Sequence, residues 1–267
     1  MLDINELLKK MEEKGCEELQ LSVGLEALFK KADKWEKEGD YKFSRPDLED
    51  AFKAIMPTAY AEYMQNKIYS GSYSIPSVGR YKLYAFSQRG SLVLVFKKAF
   101  KELDKNIKIE GLENYDLTPG ITLVVGGLQR KEAGIILLNE LLKKDITVVS
   151  VEENVKYSLK NNVGHVFQCE ERTDFKNAGE LLEIIKRVEP TVVYIEYGFD
   201  PNIISKLFNL ASKNVAIILN MPYENDADAI ANLTKILDED NNTTAIKYVK
   251  KSVYLDKKDT FRIKTVD

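Results

Sequence analysis

The sequence is poor in the residues that build most metal and nucleophilic sites. Its 267 residues include one histidine, His165, and two cysteines, Cys16 and Cys169. A lone histidine argues against metal centres and catalytic triads that depend on histidine. The cysteines are far apart and form no C-x-x-C pair, so neither a thiol metal site nor a disulfide framework is expected.

Long apolar runs and an excess of one charge are also missing. No stretch reaches the roughly 18 apolar residues of a membrane span, and the opening MLDINELLKKMEEK lacks the apolar core of a signal peptide. Lys and Arg number 39 against 42 Asp and Glu, which gives no general basic footprint for nucleic acid. We therefore expect a cytoplasmic protein without direct membrane insertion and without a nucleic-acid partner.

Residues 1–105 predict a small α+β domain. Ile4, Leu8 and Met11 recur at helical spacing after Asp3, a potential N-cap. Residues 25–41 fit a helix or strands, and strands are preferred. The other expected elements are a strand at Glu18–Val23, helices after Pro46 and over Thr58–Gln65, and a hairpin of Tyr81–Phe86 with Leu92–Phe96. Tyrosines near lysines here could stack on nucleic-acid bases, but tyrosine is also preferred in strands, and we interpret them as half-buried.

Residues 106–118 are polar without a sustained period, which predicts a linker. In residues 119–267 apolar strands alternate with amphipathic helices, which predicts a mostly parallel sheet covered on both faces. The expected strands are Ile121–Val125, Ile146–Val151, Val163–Gln168, Val192–Tyr197 and Val215–Leu219. The expected helices are Lys131–Lys143, Ala178–Val188, Pro201–Ala211 and Asp226–Leu237. The lysine-rich tail predicts a final hairpin, with a basic interaction tail as the alternative.

The stretch PGITLVVGGLQRKEAG has the layout of a strand, a phosphate loop and a helix. Backbone N–H groups at Gly126 and Gly127 and the helix N-terminus could hold an anion there. In the P-loop motif G-x-x-x-x-G-K-[ST], the second glycine, the lysine and the hydroxyl fall on Lys131, Glu132 and Ala133. The sequence thus has the scaffold of a nucleotide site without its usual side chains.

Several segments in order resemble the twitching-motility ATPases, the hexameric motors that retract type IV pili and belong to the secretion ATPase superfamily. These segments are IPSVGRYKLYAFSQRGSLVLVFK, PGITLVVGG, VVSVEENVKY and RVEPTVVYIEYGFD. The resemblance implies a RecA-like α/β domain with a P-loop, preceded by a PAS-like domain. It also implies that Arg80 and Arg89, which match arginines of the family's N-terminal domain, lie at an intersubunit contact.

The sequence departs from this family at the positions that carry its chemistry. Glu152 and Glu153 keep two carboxylates in the acidic box, but Tyr197 stands where the Walker B glutamate is expected. Glu196 is one residue earlier and would face the other way on a strand. Lys131 is one residue before the family's lysine position, so on a helix it would point about 100° away. No histidine occurs in LNMPYEND, where the family has its His box, and the helical C-terminal part is shortened after residue 237.

The first hypothesis is a non-catalytic pseudo-ATPase that serves as an accessory or regulatory component of a type IV pilus or type II secretion-like machine. It would need no cofactor and no catalytic residue, and its partners would be a catalytic paralogue or an inner-membrane platform protein, with a homo-oligomer as a further option. The alternative is a divergent ATPase that uses ATP and Mg, in which Lys131 binds nucleotide and Glu152 and Glu196 act in catalysis. A third option is a different anion at Gly126–Gln129.

Overall fold

The computed structural model describes residues 2–100, 102–196, 206, 208, 210, 214–239 and 243–266. These residues belong to two compact units, which divide between Lys101 and Glu102. Within the described ranges, none of the helices is both long and apolar enough to span a bilayer.

The first unit is an antiparallel sheet in the order β3-β2-β1-β6-β5-β4. Its strands are β1 (Glu18–Ser22), β2 (Ala27–Lys31), β3 (Lys34–Glu38), β4 (Ile68–Ile75), β5 (Gly79–Gln88) and β6 (Ser91–Lys98). Its helices are α1 (Ile4–Glu13), α2 (Arg45–Ile55) and α3 (Pro57–Asn66). All three helices pack on one face of the sheet, because their apolar residues share a core with alternate strand residues such as Leu83 and Leu94. The predicted α+β organisation is confirmed.

Local capping explains where these helices begin. The Asp3 side chain accepts hydrogen bonds from the backbone N–H groups of Asn5 and Glu6, at 2.9 and 3.3 Å, as its predicted N-cap role requires. At α2, Ser44 and Asp47 form a capping box. Both caps satisfy N–H groups that the first helical turn leaves without a partner.

The second unit is an eight-stranded sheet in the order β10-β9-β11-β12-β8-β13-β14-β7. Its strands are β7 (Lys108–Glu110), β8 (Gly120–Val124), β9 (Thr147–Glu152), β10 (His165–Glu170), β11 (Val192–Glu196), β12 (Ala216–Asn220), β13 (Val249–Lys257) and β14 (Thr260–Thr265). Its helices are α4 (Arg130–Leu141), α5 (Ala178–Val188) and α6 (Asp226–Glu239), with 3-10 turns at Leu112–Asn114 and Thr243–Tyr248. Neighbouring strands are parallel except β13 and β14, which form the predicted final hairpin.

Helices cover both faces of this sheet, as the sequence predicts. Residues of α4 share one core with Val124, Val148 and Ile218. Residues of α5 and α6 share the other core with Leu123 and Val149. The successive strand residues therefore point to opposite cores, which explains why these strands are almost continuously apolar.

One expectation was wrong, and one strand was missed. Residues 106–118 are not a linker, because β7 pairs with β14, Tyr115 is buried and the segment belongs to the second unit. A strand of three residues is too short to show alternation. The strand β4 was not predicted, because its serines and glycine hide the apolar pattern. The expected helix Pro201–Ala211 lies outside the described residues, except that Lys206, Phe208 and Leu210 are helical.

Candidate functional site

The loop after β8 lies at the sheet edge where the parallel strands β8, β9, β11 and β12 all end. Gly126 and Gly127 have φ angles of 111° and 57°, which favour glycine. A Cβ on Gly126 would lie 2.5 Å from Cβ of Leu255, so no side chain fits there. The N–H of Gly126 donates to the carbonyl oxygen of Tyr223 at 2.8 Å. This N–H, which a phosphate loop would offer to an anion, is therefore engaged within the protein.

Arg130 begins α4 and folds back over the loop. Its Nη1 donates to the carbonyl oxygen of Gly127 at 2.7 Å, and burial lowers the pKa of its guanidinium. The backbone oxygen of Arg130 accepts a hydrogen bond from Nδ2 of Asn220 at 2.8 Å. That same Nδ2 lies 3.1 Å from the buried hydroxyl of Tyr194. These contacts tie the loop to β11 and β12 and fix its shape.

Gly134 lets α4 approach these strands closely. A Cβ at this position would lie 2.9 Å from Nδ2 of Asn220 and 2.9 Å from the hydroxyl of Tyr194. Ala133, at the position of the P-loop hydroxyl, is fully buried. The face of α4 where a P-loop places its hydroxyl therefore packs as core.

Glu132 occupies the position of the P-loop lysine and is held by a tyrosine. Its Oε1 accepts a hydrogen bond from the hydroxyl of Tyr157 at 2.6 Å. Burial raises the pKa of Tyr157, and the contact with Glu132 raises it further. The position of the P-loop lysine is thus occupied by the side chain of Glu132, whose hydrogen-bond donor is the uncharged hydroxyl of Tyr157.

Lys131 points toward β11 and forms an ion pair with Glu196. The Glu196 side chain is 4% exposed and that of Lys131 is 27% exposed. Burial lowers the pKa of Lys131 to about 8; Lys156 and Arg130 add to this effect, and Glu153 and Glu152 oppose it. The amine is still protonated at neutral pH, and its charge is matched by Glu196. The structure therefore brings together two of the predicted site residues, at the helix start and at a strand end.

Glu152 is buried beside this pair at the end of β9. Its Oε1 accepts hydrogen bonds from Ser150 Oγ at 2.5 Å and from Gln168 Nε2 at 3.0 Å. Burial raises the pKa of Glu152. Its neighbour Glu153 is exposed.

Glu170 lies opposite Glu152 on β10 and is equally buried. Its carboxylate accepts hydrogen bonds from the N–H of Val155 and the hydroxyl of Thr173, at 3.0 and 2.9 Å. Sequence reasoning missed this residue and also Arg130, Tyr157, Tyr194 and Asn220. The sequence signal for Glu170 and Asn220 is that each is a polar residue at the end of an apolar strand. The sequence pattern gives no such signal for Tyr157.

The remaining candidates lie elsewhere. Arg80 is near the start of β5 and the exposed Arg89 is in the turn after it, roughly 30 Å apart along the strand. The two arginines are therefore not brought together. His165 is exposed at the start of β10, and Tyr197 lies outside the described residues.

The residues present do not fit a magnesium nucleotide in this arrangement. A P-loop supplies a lysine for the phosphates and a hydroxyl for Mg²⁺, whereas this loop supplies Glu132 and the buried Ala133. Lys131, the residue before Glu132, is paired with Glu196. In the part of the chain that is described, no group of three His, Cys, Asp or Glu side chains is placed to hold a metal ion.

Among the solved structures that resemble this chain are a pilus retraction motor and two ATPases. The pilus retraction motor PilT with bound ADP is 16% identical with a TM-score of 0.82, covering 100% of this chain and 84% of that one. The ATPase DotB of Legionella pneumophila is 14% identical with a TM-score of 0.75, covering 94% and 75%. DotB of Yersinia pseudotuberculosis is 12% identical with a TM-score of 0.63, covering 98% and 77%. No protein-family model and no curated protein matches the sequence.

At these identities the likeness shows the fold. The chain has the fold of the pilus retraction motor over its whole length and that of the DotB ATPase over 94% of it. The predicted fold class, a RecA-like α/β domain preceded by a small PAS-like α+β domain, is confirmed.

Proposed function

We propose that the chain is a non-hydrolysing relative of the pilus retraction motors, a pseudo-ATPase that serves as an accessory or regulatory component. The machine it serves would be a type IV pilus or a type II secretion-like system. The fold supports the ancestry, because the similar structures are a retraction motor with bound ADP and two ATPases. The contacts of Lys131 and Glu132 support the loss of hydrolysis.

The observation that carries the proposal is the pair of contacts made by Lys131 and Glu132. Lys131 is neutralised by Glu196, and Glu132 stands in the lysine position with its carboxylate toward Tyr157. Two unit charges about 4 Å apart interact by about 4 kcal/mol at an effective dielectric of about 20. A carboxylate at that position therefore repels a phosphate where a lysine would attract it.

The proposed partners follow from a motor fold that is kept although ATP hydrolysis is lost. A catalytic paralogue or an inner-membrane platform protein would bind surfaces inherited from the motor, and self-association is a further option. Cytoplasmic location and the lack of a cofactor are part of the same proposal. In this proposal Arg80 and Arg89 act at interfaces or in the fold rather than on a nucleotide.

ATP hydrolysis tests the proposal. The purified full chain should release no phosphate from ATP above the buffer rate, with Mg²⁺ or Mn²⁺ present. Metal-dependent hydrolysis that Glu152→Gln abolishes and that the exposed neighbour variant Glu153→Gln retains would overturn it.

A second candidate, a divergent ATPase, is favoured by one observation. Lys131, Glu152 and Glu196 gather at the same sheet edge, so an amine and two carboxylates stand near the loop. For this function Lys131 would have to leave Glu196 and turn toward the loop. Nucleotide would then raise the melting temperature by an amount that grows with the logarithm of its concentration above the Kd, and Lys131→Met would remove that rise.

A further inference from the structure

The sheet of the first unit ends in two edge strands of very different character. At one edge, β3 (KWEKE) has four charged residues among five. At the other edge, β4 (IYSGSYSI) has eight residues without a charge or a proline, and its ladder with β5 contains no bulge. Charges, prolines, bulges and short length are the devices that usually keep an edge strand from pairing with another chain. The strand β4 uses none of them.

The main-chain groups of alternate β4 residues face away from the sheet. The carbonyl oxygen of Arg80 on β5 accepts a hydrogen bond from the N–H of Ala99 at 2.8 Å, so the main chain of Arg80 points away from β4. Its β4 neighbour Ser74 is therefore in a pair without hydrogen bonds, and its own N–H and C=O point outward. The same orientation recurs at Ser70 and Ile68. Among the described residues, none donates to or accepts from the outward main chain of these three residues.

The sequence of β4 reads the same in both directions from its glycine. Ser70 and Ser72 flank Gly71, and Tyr69 and Tyr73 follow on either side. Two copies of β4, antiparallel about a two-fold axis at Gly71, thus place serine opposite serine and tyrosine opposite tyrosine. Aromatic pairs and hydroxyl pairs are favourable across neighbouring strands. Both tyrosines lie on the helix-covered side and are partly buried, so the pairs extend that core across the axis.

We infer that β4 pairs with β4 of a second copy of the chain, antiparallel and with Gly71 on the two-fold axis. In this register Ile68 of one copy lies opposite Ser74 of the other, and the two residues exchange two main-chain hydrogen bonds. The axis creates a second identical pair, so these residues supply about four bonds between the copies. Ser72 has another contact within the protein, and its main chain is not counted. The inference concerns the first unit and does not depend on whether the second unit binds a nucleotide.

A second copy suits this edge better than an unrelated strand does. Main-chain pairing accepts any extended segment, so the side chains select the partner. In β4 they match themselves about one point, as the isologous interface of a two-fold dimer requires. A register shifted by one residue would turn the tyrosines of one copy to the other face. Pairing also covers Ile68, which is 63% exposed.

Light scattering of the full chain tests the association. The mean mass should rise with concentration from the 30.5 kDa of one chain to at least twice that value. Ser74→Pro should weaken the association by about tenfold or more, because each copy loses a main-chain donor at the edge. The fold tolerates this proline, since the N–H of Ser74 faces outward. Ser74→Ala, which keeps the N–H, and Lys37→Pro, on the opposite edge strand β3, should associate like wild type.

Cross-linking tests the register without relying on a proline. In a hydrogen-bonded antiparallel pair the Cα atoms are about 5.5 Å apart, which a disulfide can span. Positions 68 and 74 of one chain are about 20 Å apart along the strand. An Ile68→Cys chain mixed with a Ser74→Cys chain should therefore form a covalent dimer on oxidation, and neither variant should do so alone. The native Cys16 and Cys169 are buried.

Three results would overturn the inference. The first is a chain that stays monomeric, even if it binds a foreign extended peptide along β4. The second is a Ser74→Pro variant that associates like wild type. The third is a mixture of the two cysteine variants that cross-links no more than either variant alone.

Discussion

Lys131 at the start of α4 forms an ion pair with Glu196 at the end of β11, although β12 separates β11 from the strand that leads into the loop. The lysine thus reaches across one strand, β12. Its partner carboxylate is nearly fully buried, so the pair is part of the packed sheet edge.

Lys131→Met should destabilise the protein, because it leaves the Glu196 carboxylate buried without its partner. Breaking a buried pair in this way costs about 3–5 kcal/mol, and the 27% exposure of Lys131 reduces the expected loss to about 2 kcal/mol. Urea unfolding measures it. Lys186→Met, which removes an exposed pair with Glu183 on α5, should cost under about 0.5 kcal/mol. Equal losses in the two variants would show that burial of the pair is unimportant.

The contribution of Lys131 to stability should depend on pH. Its pKa is about 8 in the folded protein and 10.5 ordinarily. Between these pH values the unfolded chain binds more protons than the folded chain, so stability rises with pH. The free energy of unfolding of wild type relative to Lys131→Met should therefore grow from pH 8 toward 10.5. A gap that narrows over this window would mean that Glu196 raises the lysine pKa above its ordinary value.

Glu152→Gln should be neutral or stabilising at neutral pH. Burial raises the pKa of Glu152 above 4.5. The protonated carboxyl group therefore contributes to stability in acid, and this contribution is lost as the pH rises through the folded pKa. Glutamine keeps an acceptor for Ser150 and Gln168 and removes the buried charge, a gain of up to about 1 kcal/mol. The gain should vanish in acid, where the wild-type carboxyl is protonated. Unfolding curves at several pH values, with Glu153→Gln as control, test this, and a clear destabilisation at neutral pH would contradict it.

Tyr157→Phe should release Glu132. The hydroxyl donates to the carboxylate at 2.6 Å in a largely buried position, and hydrogen bonds to charged groups contribute about 1.5–3 kcal/mol. Thermal unfolding should show a clear loss of stability. Tyr41→Phe removes a similar 3.0 Å bond to Asp47 from a tyrosine that is 63% exposed, so its loss should be smaller. Similar losses of stability in Tyr157→Phe and Tyr41→Phe would show that the Tyr157–Glu132 hydrogen bond contributes no more than an exposed one.

The sequence predicted the elements that have a strong local signal. Asp3 as N-cap and α5 at Ala178–Val188 follow from capping and from the helical period. It missed β4, where serine and glycine weaken the alternation, and β7, where pairing with β14 rather than local pattern makes the strand. Strands of this kind are defined by partners distant in the chain, which no window of residues contains.

The sequence predicted which residues lie at the site, but not which of them contact one another. The sequence located the loop at Gly126 and named Lys131, Glu152 and Glu196. It could not show that Lys131 reaches Glu196, because that requires the strand order β8-β12-β11. Tyr157 was missed for the same reason, since it comes from an irregular segment after β9 and meets Glu132 only in three dimensions.

The most direct test of the central claim is the melting temperature of the full chain over a series of Mg·ATP concentrations up to the millimolar range. A ligand at a hundred times its Kd adds about 2.7 kcal/mol to the free energy of unfolding, which such a series detects easily. We predict no change beyond that produced by magnesium sulfate alone. A melting temperature that climbs with ATP, and that no longer climbs in Lys131→Met, would contradict the account.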